Sequence, residues 1–507
     1  MSEIYITTPI FYVNDSPHIG HAYTTLICDS IARFNKLDGK NVLFTTGTDE
    51  HGMKVEKAAK NRGLPPLDFV DSVSKNFKDL SSKLELTNTD FIRTTEKRHQ
   101  LAAIHFWERL SENNQIYKGN YKGWYSVKDE SFYQEKELIR EKNGFKTADG
   151  SHVDWIEEES FFFKLSSWGD KLLDFYNDNP DFIMPKSRMN EVKKFVESGL
   201  KDLSISRTSF SWGIKIPNSN HIMYVWIDAL TNYLTSIGYP DIKKKQMIFW
   251  HNCIHIIGKD ILKFHAIYWP AMLMAIGHPL PKQIFAHGWW TNEGKKISKS
   301  LGNVIDPNEI INKFGLDQFR YFLLREVALG NDGDFSESSL INRINSDLSN
   351  NLGNLIQRVM KFLKKNYNNT VPYSTKDDWQ NYIQLKMGYE LIDLLKQKMI
   401  NFEINKCLEE IFYYVDSLNK YMDKSEPWNS FKTDPNKAGK DLSVLIECFR
   451  IVGIILQPFI PRSANKILNM LNIEESSRLF NKLSNEYAIK SQHMLNESEP
   501  IFPRYEK

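Results

Sequence analysis

The chain has 507 residues, of which 41% are hydrophobic, 13% aromatic and 25% charged. It is too long for one core and rich enough in apolar side chains for several, which excludes a lone binding module and a disordered chain. Lys and Arg number 65 against 63 Asp and Glu, a net +2, so a nucleic acid would have to be met by local basic patches rather than by overall basicity.

The first residues, Met-Ser-Glu-Ile-Tyr, carry no leader signature, and the expected compartment is the cytoplasm. Residues 4–13 (IYITTPIFYV) are β-branched and aromatic and predict a strand. Asn-Asp-Ser-Pro breaks the run, His18 to Leu37 has helical spacing, and residues 41–48 (NVLFTTGT) predict a second strand, giving a strand-helix-strand unit of a parallel nucleotide-binding sheet. Residues 116–222 read as strands and turns punctuated by glycines, an insertion in one α/β domain. The sheet resumes with strands over 245–258 (KQMIFWHNCIHIIG) and 282–288 (KQIFAHG). From Ser339 onward helical periodicity dominates, interrupted near Pro372, Pro427, Pro458 and Pro461. The apolar stretch from Leu442 to Pro461 contains Glu447 and Arg450, so it reads as a buried helix rather than a membrane span.

Cys28, Cys253, Cys407 and Cys448 stand far apart with no Cys-x-x-Cys pair, the pattern of free thiols in a reducing compartment. His251, Cys253 and His255 alternate on a predicted strand and invite a metal, but no fourth ligand is evident and buried core Cys and His are the commoner occurrence.

Two segments carry phosphate chemistry. Pro17-His18-Ile19-Gly20-His21 lies where the first strand gives way to the first helix, where backbone N–H groups and the helix dipole favour an anion. Two imidazoles can donate to phosphate oxygens there, and Gly20 leaves the backbone open to a nucleotide; the plain alternative is two surface histidines and a turn glycine. Gly294 to Gly302 (GKKISKSLG) is a basic, hydroxyl-bearing loop after a sheet strand, otherwise an exposed lysine turn.

His18-Ile19-Gly20-His21 together with Lys296-Ile297-Ser298-Lys299-Ser300 resembles the paired signatures of class I aminoacyl-tRNA synthetases. Residues 5–21 (YITTPIFYVNDSPHIGH), 45–53 (TTGTDEHGM), 224–229 (YVWIDA) and 258–272 (GKDILKFHAIYWPAM) resemble the methionyl-tRNA synthetases in particular. Ile297 stands where that family usually has methionine. The resemblance implies a Rossmann-like parallel-sheet α/β catalytic domain in two halves, 1–115 and 223–338, the second half carrying the lysine loop and a stem-contact region. A connective insertion free of editing activity would occupy 116–222, and an all-α anticodon-binding helix bundle 339–507.

It further implies that L-methionine and ATP with Mg2+ form methionyl-adenylate and pyrophosphate, and that tRNA(Met), initiator and elongator, then takes the methionyl group. The methionine carboxylate is already the nucleophile, so positioning and charge stabilisation carry the step. His18 and His21 fall to the phosphates and Lys296 and Lys299 to the departing pyrophosphate. Gly20, Ser298 and Ser300 belong to the same ATP site, and Gly294 and Gly302 serve as hinges. Arg207 matches a family arginine near the adenylate and is otherwise a surface arginine. Asp49 is the natural partner for the methionine ammonium, or else a helix cap. By position the thioether slot is lined by Ile10, Tyr12, Trp226, Ala229, Tyr233, Ile261, His265 and Trp269; aromatic faces suit sulfur, and Tyr233 or His265 could donate to it.

The insertion contains no cysteine, so no structural zinc is expected. Asn351, Asn354, Arg358, Lys361 and Lys365 form a polar stripe at helical spacing, either a solvated face or a binding one. The resemblance places Asn354, Arg358 and Trp428 at the anticodon, where splayed bases are read by stacking and edge contacts. No appended β-barrel follows residue 480, so a monomer without membrane attachment is expected. A nucleotidyltransferase acting on a small carboxylate, and a catalytically dead RNA-binding relative, are the rival classes; the helical last ~170 residues weigh against the first and the intact histidines and lysines against the second.

Overall fold

The computed structural model describes residues 2–13, 16–126, 131–133, 135–141, 144–148, 150–241, 243–297, 302–497 and 499–505. Packing divides the chain into two compact units: Glu3–Pro17 with Leu43–His287, and Met1–Ser2, His18–Val42 and Gly288–Lys507.

The first of these units is built on a seven-stranded sheet. Its strand order is Ile183–Met184, Gln283–His287, Cys253–Gly258, Glu3–Thr7, Asn41–Asp49 and Phe11–Tyr12, with Asp90–Arg93 also paired to Asn41–Asp49. Its registered pairs, such as Tyr5↔Cys253, Ile256↔Phe285 and Gly47↔Ile92, are parallel. At Gly47 a Cβ would come within 2.0 Å of the Ile92 carbonyl oxygen, so only glycine admits this neighbour. Residues 4–13 are not one strand. Pro9 has no N–H to give the ladder, and the chain leaves after Thr7 and re-enters as Phe11–Tyr12 alongside Thr48 and Asp49.

Residues 116–222 hold a long hairpin, Ile116–Ser126 against Asp154–Phe163, and also two helices, Gly169–Asp178 and Lys186–Glu197. The expectation of strands and turns alone therefore falls short; Leu172, Tyr176, Met189, Val192 and Val196 join the core from those helices. Residues 245–252 are a 3-10 turn rather than strand, burying Phe249 and Trp250 while Ile248 faces solvent, and only Cys253–Gly258 pairs.

The other unit contains the helix Ile19–Leu37, a small sheet of Lys295–Lys296, Trp290–Asn292 and Gly333–Phe335, and the helices that follow from Pro307. Its longest buried helix, Pro435–Leu456, hides Glu447 and Arg450 as a pair, with Oε1–Nη2 at 2.6 Å; Glu447 also accepts from Tyr389 and from the Ile489 N–H. The two charges within that apolar stretch are thus neutralised within the bundle. A second enclosed pair, Asp29 and Arg320, lies 2.8 Å apart, with Arg320 also donating to the Phe459 and Pro458 carbonyls. Among the described residues no helix is long and apolar enough to cross a membrane, and the four cysteines are buried and free.

Candidate active site

His18 is the N-cap of the helix Ile19–Leu37. Its Nδ1 accepts the Gly20 N–H at 3.1 Å, and His21 Nδ1 accepts the His18 N–H at 3.0 Å, with the ring centroids 3.9 Å apart. An Nδ1 that accepts cannot carry the proton, so in both neutral rings the proton sits on Nε2, the tautomer that donates outward. Burial, and then His18, hold His21 well below the usual imidazole range, keeping it neutral near pH 7. The Ile19 N–H bonds the Ile305 carbonyl, and the His21 and Ala22 N–H groups bond that of His18. The first-turn backbone donors expected to hold an anion are therefore occupied, and the ring protons of this helix end sit on the imidazole Nε2 atoms. A Cβ on Gly20 would lie 3.0 Å from the His18 ring and would press on the cap.

The lysine loop is closed at its base by Asn292, which donates to the Asn303 carbonyl at 3.0 Å. Gly294, at φ +75°, gives its N–H to Asp334 Oδ1, and Lys295–Lys296 pair with Thr291 and Asn292. Gly302 also has positive φ, +63°. Ser298, Lys299 and Ser300 lie outside the described residues.

The residues expected at methionine all lie in the unit of the large sheet. Asp49, 7% exposed, ends the strand Asn41–Asp49 directly opposite Tyr12, and its carbonyl accepts the Val13 N–H. Ala229 and Tyr233 are buried on the helix Val225–Thr235, with Trp226 half-buried beside them. His265 and Trp269 are buried, while Ile10 and Ile261 are half-buried. Tyr12, Trp226 and Ile261 pack on the cluster that contains Tyr233 and Trp269. Ile261, His265 and Trp269 do not ride one α-helical face. Residues 264–268 form a π-helical turn before the α-helix resumes at Trp269, and Phe264 is swung against Trp226, centroids 3.7 Å apart and planes within 5°. Phe264 was not singled out from sequence; an aromatic beside His265 carries no signal unless the wide turn is known.

Hydrogen bonding fixes the polar end of this cluster. His265 Nδ1 lies 3.0 Å from the Ile261 carbonyl, which can only accept, so its Nε2 accepts from the Tyr233 hydroxyl at 2.6 Å. Burial lowers the His265 imidazole to about 4. The Tyr233 proton is thereby committed to His265, and the hydroxyl oxygen rather than its proton faces the remaining contacts. Behind it, His255 sits 4.1 Å from the Tyr233 ring and bonds Thr7 Oγ1 through Nδ1 at 2.8 Å. His251 lies in the 3-10 turn, off the strand that carries Cys253 and His255, so the three do not share a strand face. Burial raises the Cys253 thiol and lowers the His255 imidazole. Among the described residues no group of three His, Cys, Asp or Glu is placed to hold a metal ion.

Arg207 is 1% exposed, lying over the rings of Tyr125 and Tyr224 with Glu158 at 3.7 Å. It is an enclosed residue of the insertion's base, not a surface arginine. In the same insertion Ser206, His221 and Glu159 form a chain of 2.9 and 3.3 Å contacts in the order of a hydrolytic triad. Ser206 is wholly buried and accepts the Phe161 N–H, so an acyl group has no path to it.

In the other unit Asn354, Lys361 and Lys365 are exposed along the helix Asn354–Tyr367. The Arg358 guanidinium lies 5.1 Å from the Trp428 ring and 3.3 Å from Asp423, and Asn351 donates to Asp416 at 2.6 Å. Arg358 and Trp428 are together a cation and a flat face, the two elements that hold an unstacked base.

A profile described as tRNA synthetases class I (M) matches residues 4–154 and 138–360, and one described as the anticodon binding domain of methionyl tRNA ligase matches 378–505. The methionine–tRNA ligase of Rickettsia bellii (strain RML369-C) is 52% identical over 507 residues, 99% of each chain. That of Rhizobium meliloti (strain 1021) is 47% identical over 99% of this chain and 98% of its own. A solved structure of Mycobacterium tuberculosis methionyl-tRNA synthetase in complex with methionyl-adenylate superimposes with a TM-score of 0.96 at 42% identity, covering 99% of this chain and 100% of that one. With two profiles in chain order and near-complete coverage by both comparisons, the chain belongs to the methionyl-tRNA synthetases of class I.

Proposed function

We propose that the chain activates L-methionine with ATP and transfers the methionyl group to tRNA(Met). The observation that carries this reading is the amino-acid site. A buried carboxylate, Asp49, stands opposite Tyr12 in the unit whose core holds the Tyr233–His265–Trp269 aromatic group, which suits an ammonium at one end and a polarizable thioether at the other. The methionine carboxylate attacks the α-phosphorus of ATP; a P–O bond forms, the bond to the bridging oxygen breaks, and pyrophosphate leaves with that electron pair. His18 and His21 donate from Nε2 to phosphate oxygens, and Lys296 and Lys299, with Ser298 and Ser300, meet the charge on pyrophosphate. Gly20 keeps the cap open, Gly294 and Gly302 are hinges, and Mg2+ arrives with the ATP. Arg207, on the strand Ser206–Arg207, serves the ATP site at the adenylate side. A ribose hydroxyl of the tRNA's terminal adenosine then attacks the methionyl carbonyl carbon; the ester C–O bond forms, the acyl C–O bond to the adenylate phosphate breaks, AMP leaves with that electron pair, and the hydroxyl proton passes to AMP or solvent.

The test is ATP–pyrophosphate exchange with each of the twenty amino acids, without tRNA, after zinc chelation and magnesium re-addition. Exchange with methionine alone is expected; exchange with none, or with another amino acid, overturns the reading. For the RNA step, Asn354, Arg358 and Trp428 read the anticodon, and Trp428→Ala is expected to lower kcat/KM for tRNA(Met) by about 10- to 100-fold, the loss of one stacked base. A tRNA charging assay at fixed salt reads it, and a change under threefold removes Trp428 from the interface. The enzyme works as a monomer in the cytoplasm; sedimentation at assay concentration checks the first of these.

A further inference from the structure

The helix Val225–Thr235 carries a single charged residue, Asp228, which is 1% exposed. Each of its carboxylate oxygens is bonded to a histidine: Oδ2 lies 2.6 Å from His51 Nδ1, and Oδ1 2.7 Å from His99 Nε2. His99 is itself held by Thr235 Oγ1 at 3.0 Å, one helix end further along. Desolvation pushes the Asp228 carboxyl up, but His51 and His99 outweigh it and hold it below the usual carboxylate range, so the ionised acid accepts both N–H groups. None of these three residues was given a role from sequence.

The loop that begins at Asp49 is fixed from several sides. The His51 carbonyl accepts from the Tyr12 hydroxyl at 2.9 Å, and the Glu50 carbonyl from Trp212 Nε1 at 2.6 Å. The Glu50 carboxylate takes Arg93 in two bonds of 2.7 and 2.9 Å, together with the Thr48 hydroxyl. The His51 side chain is the member that reaches the slot helix. An enclosed acid bonded to two imidazoles adds little stability over an apolar filling of the same volume, but it sets the relative position of the elements it joins with directional bonds.

We propose that Asp228 is a positioning residue of the amino-acid site, fixing the Asp49 loop, through His51, against the helix that carries Trp226, Ala229 and Tyr233. It thereby sets the span from the ammonium's counter-charge to the thioether slot, and the inference rests on the assignment of those residues to methionine.

The experiment uses full-length enzyme: wild type, Asp228→Asn, His51→Gln and Asp49→Asn. Pyrophosphate exchange gives KM and kcat for methionine and KM for ATP, and 4-(methylsulfanyl)butanoate, the same skeleton without the ammonium, is the competitive inhibitor. Asp228→Asn and His51→Gln are expected to raise the methionine KM about tenfold, the scale on which misplaced supporting groups act. KM for ATP and the inhibition constant of the amine-free analogue should each stay within about twofold. A methionine KM within twofold of wild type overturns the proposal, as does a parallel loss for methionine and the analogue, which marks collapse of the whole slot. If Asp228→Asn does not fold, His51→Gln, which leaves Asp228 on His99, decides the matter alone. A methionine KM left unchanged by Asp49→Asn overturns the site assignment itself, independently of Asp228.

Discussion

Asp49→Asn is expected to raise the KM for methionine by about 30- to 1000-fold in pyrophosphate exchange, the scale of about 2–4 kcal/mol for removing one charge of an enclosed, hydrogen-bonded pair. The carboxylate is 7% exposed, so an ammonium brought beside it gives up most of its water, and an amide of the same shape returns only a dipole. The neighbours of Asp49 are held by Tyr12, Trp212 and Arg93, so the loop does not move to recruit another acid. The amine-free analogue, which has no ammonium to lose, separates this effect from a change of pocket shape: its inhibition constant should fall or stay level in the variant. A KM within threefold of wild type would remove Asp49 from the site and leave its role as the start of the following turn.

Arg320→Met is expected to destabilise the unit containing the His18–His21 helix by about 3–5 kcal/mol, because it leaves Asp29 enclosed without that countercharge. Both side chains are 0% exposed. Burial pulls the Arg320 guanidinium down and Asp29 draws it back up, so the pair is sustained by mutual charge. The variant also drops the donors to the Phe459 and Pro458 carbonyls, which then lack a partner in the loop between two buried helices. Arg33 bonds Asp29 Oδ2 at 2.7 Å from four residues away, but it is partly exposed and replaces only part of the loss. Thermal unfolding followed by circular dichroism should show a component melting about 6–20 °C lower. Asp29→Leu combined with Arg320→Met should recover part of the loss, since a paired apolar replacement strands no charge; a double variant as unstable as the sum of the singles would contradict this account.

The parts of this molecule legible in the sequence are those written by local pattern. The strand-loop-helix order around His18, the lysine loop and the helical run after Ser339 follow from spacing and breakers within a few residues of one another. The errors arise where two local signals compete. In residues 4–13 the β-branched run masked Pro9, and the strand divides there. In residues 245–252 an apolar run of Met247, Ile248, Phe249 and Trp250 reads as strand, but Ile248 is 54% exposed and Met247 half-buried while the adjacent Phe249 and Trp250 are both buried, which breaks the alternation a strand requires. The π-helical turn at 264–268 has no sequence signal of its own, so the pairing of Phe264 with Trp226 was out of reach. Asp228 is the one charged residue of its helix, and a buried charge demands a partner, yet its partners are 177 and 129 residues away, and a single sequence holds no record of such a meeting.

The Asp29–Arg320 pair also sets a timetable for synthesis. Nearly three hundred residues separate the two side chains, so a ribosome adding about 5–20 residues per second exposes the amino-terminal helix for about 15–60 s before Arg320 exists. The Phe459 carbonyl that Arg320 also bonds comes later still. Throughout that interval Phe34, on the same helix, also waits for the Phe480 ring it packs against at 4.8 Å. Slowing elongation in the second half of the message is therefore expected to prolong that exposure and to raise aggregation of the nascent chain rather than relieve it.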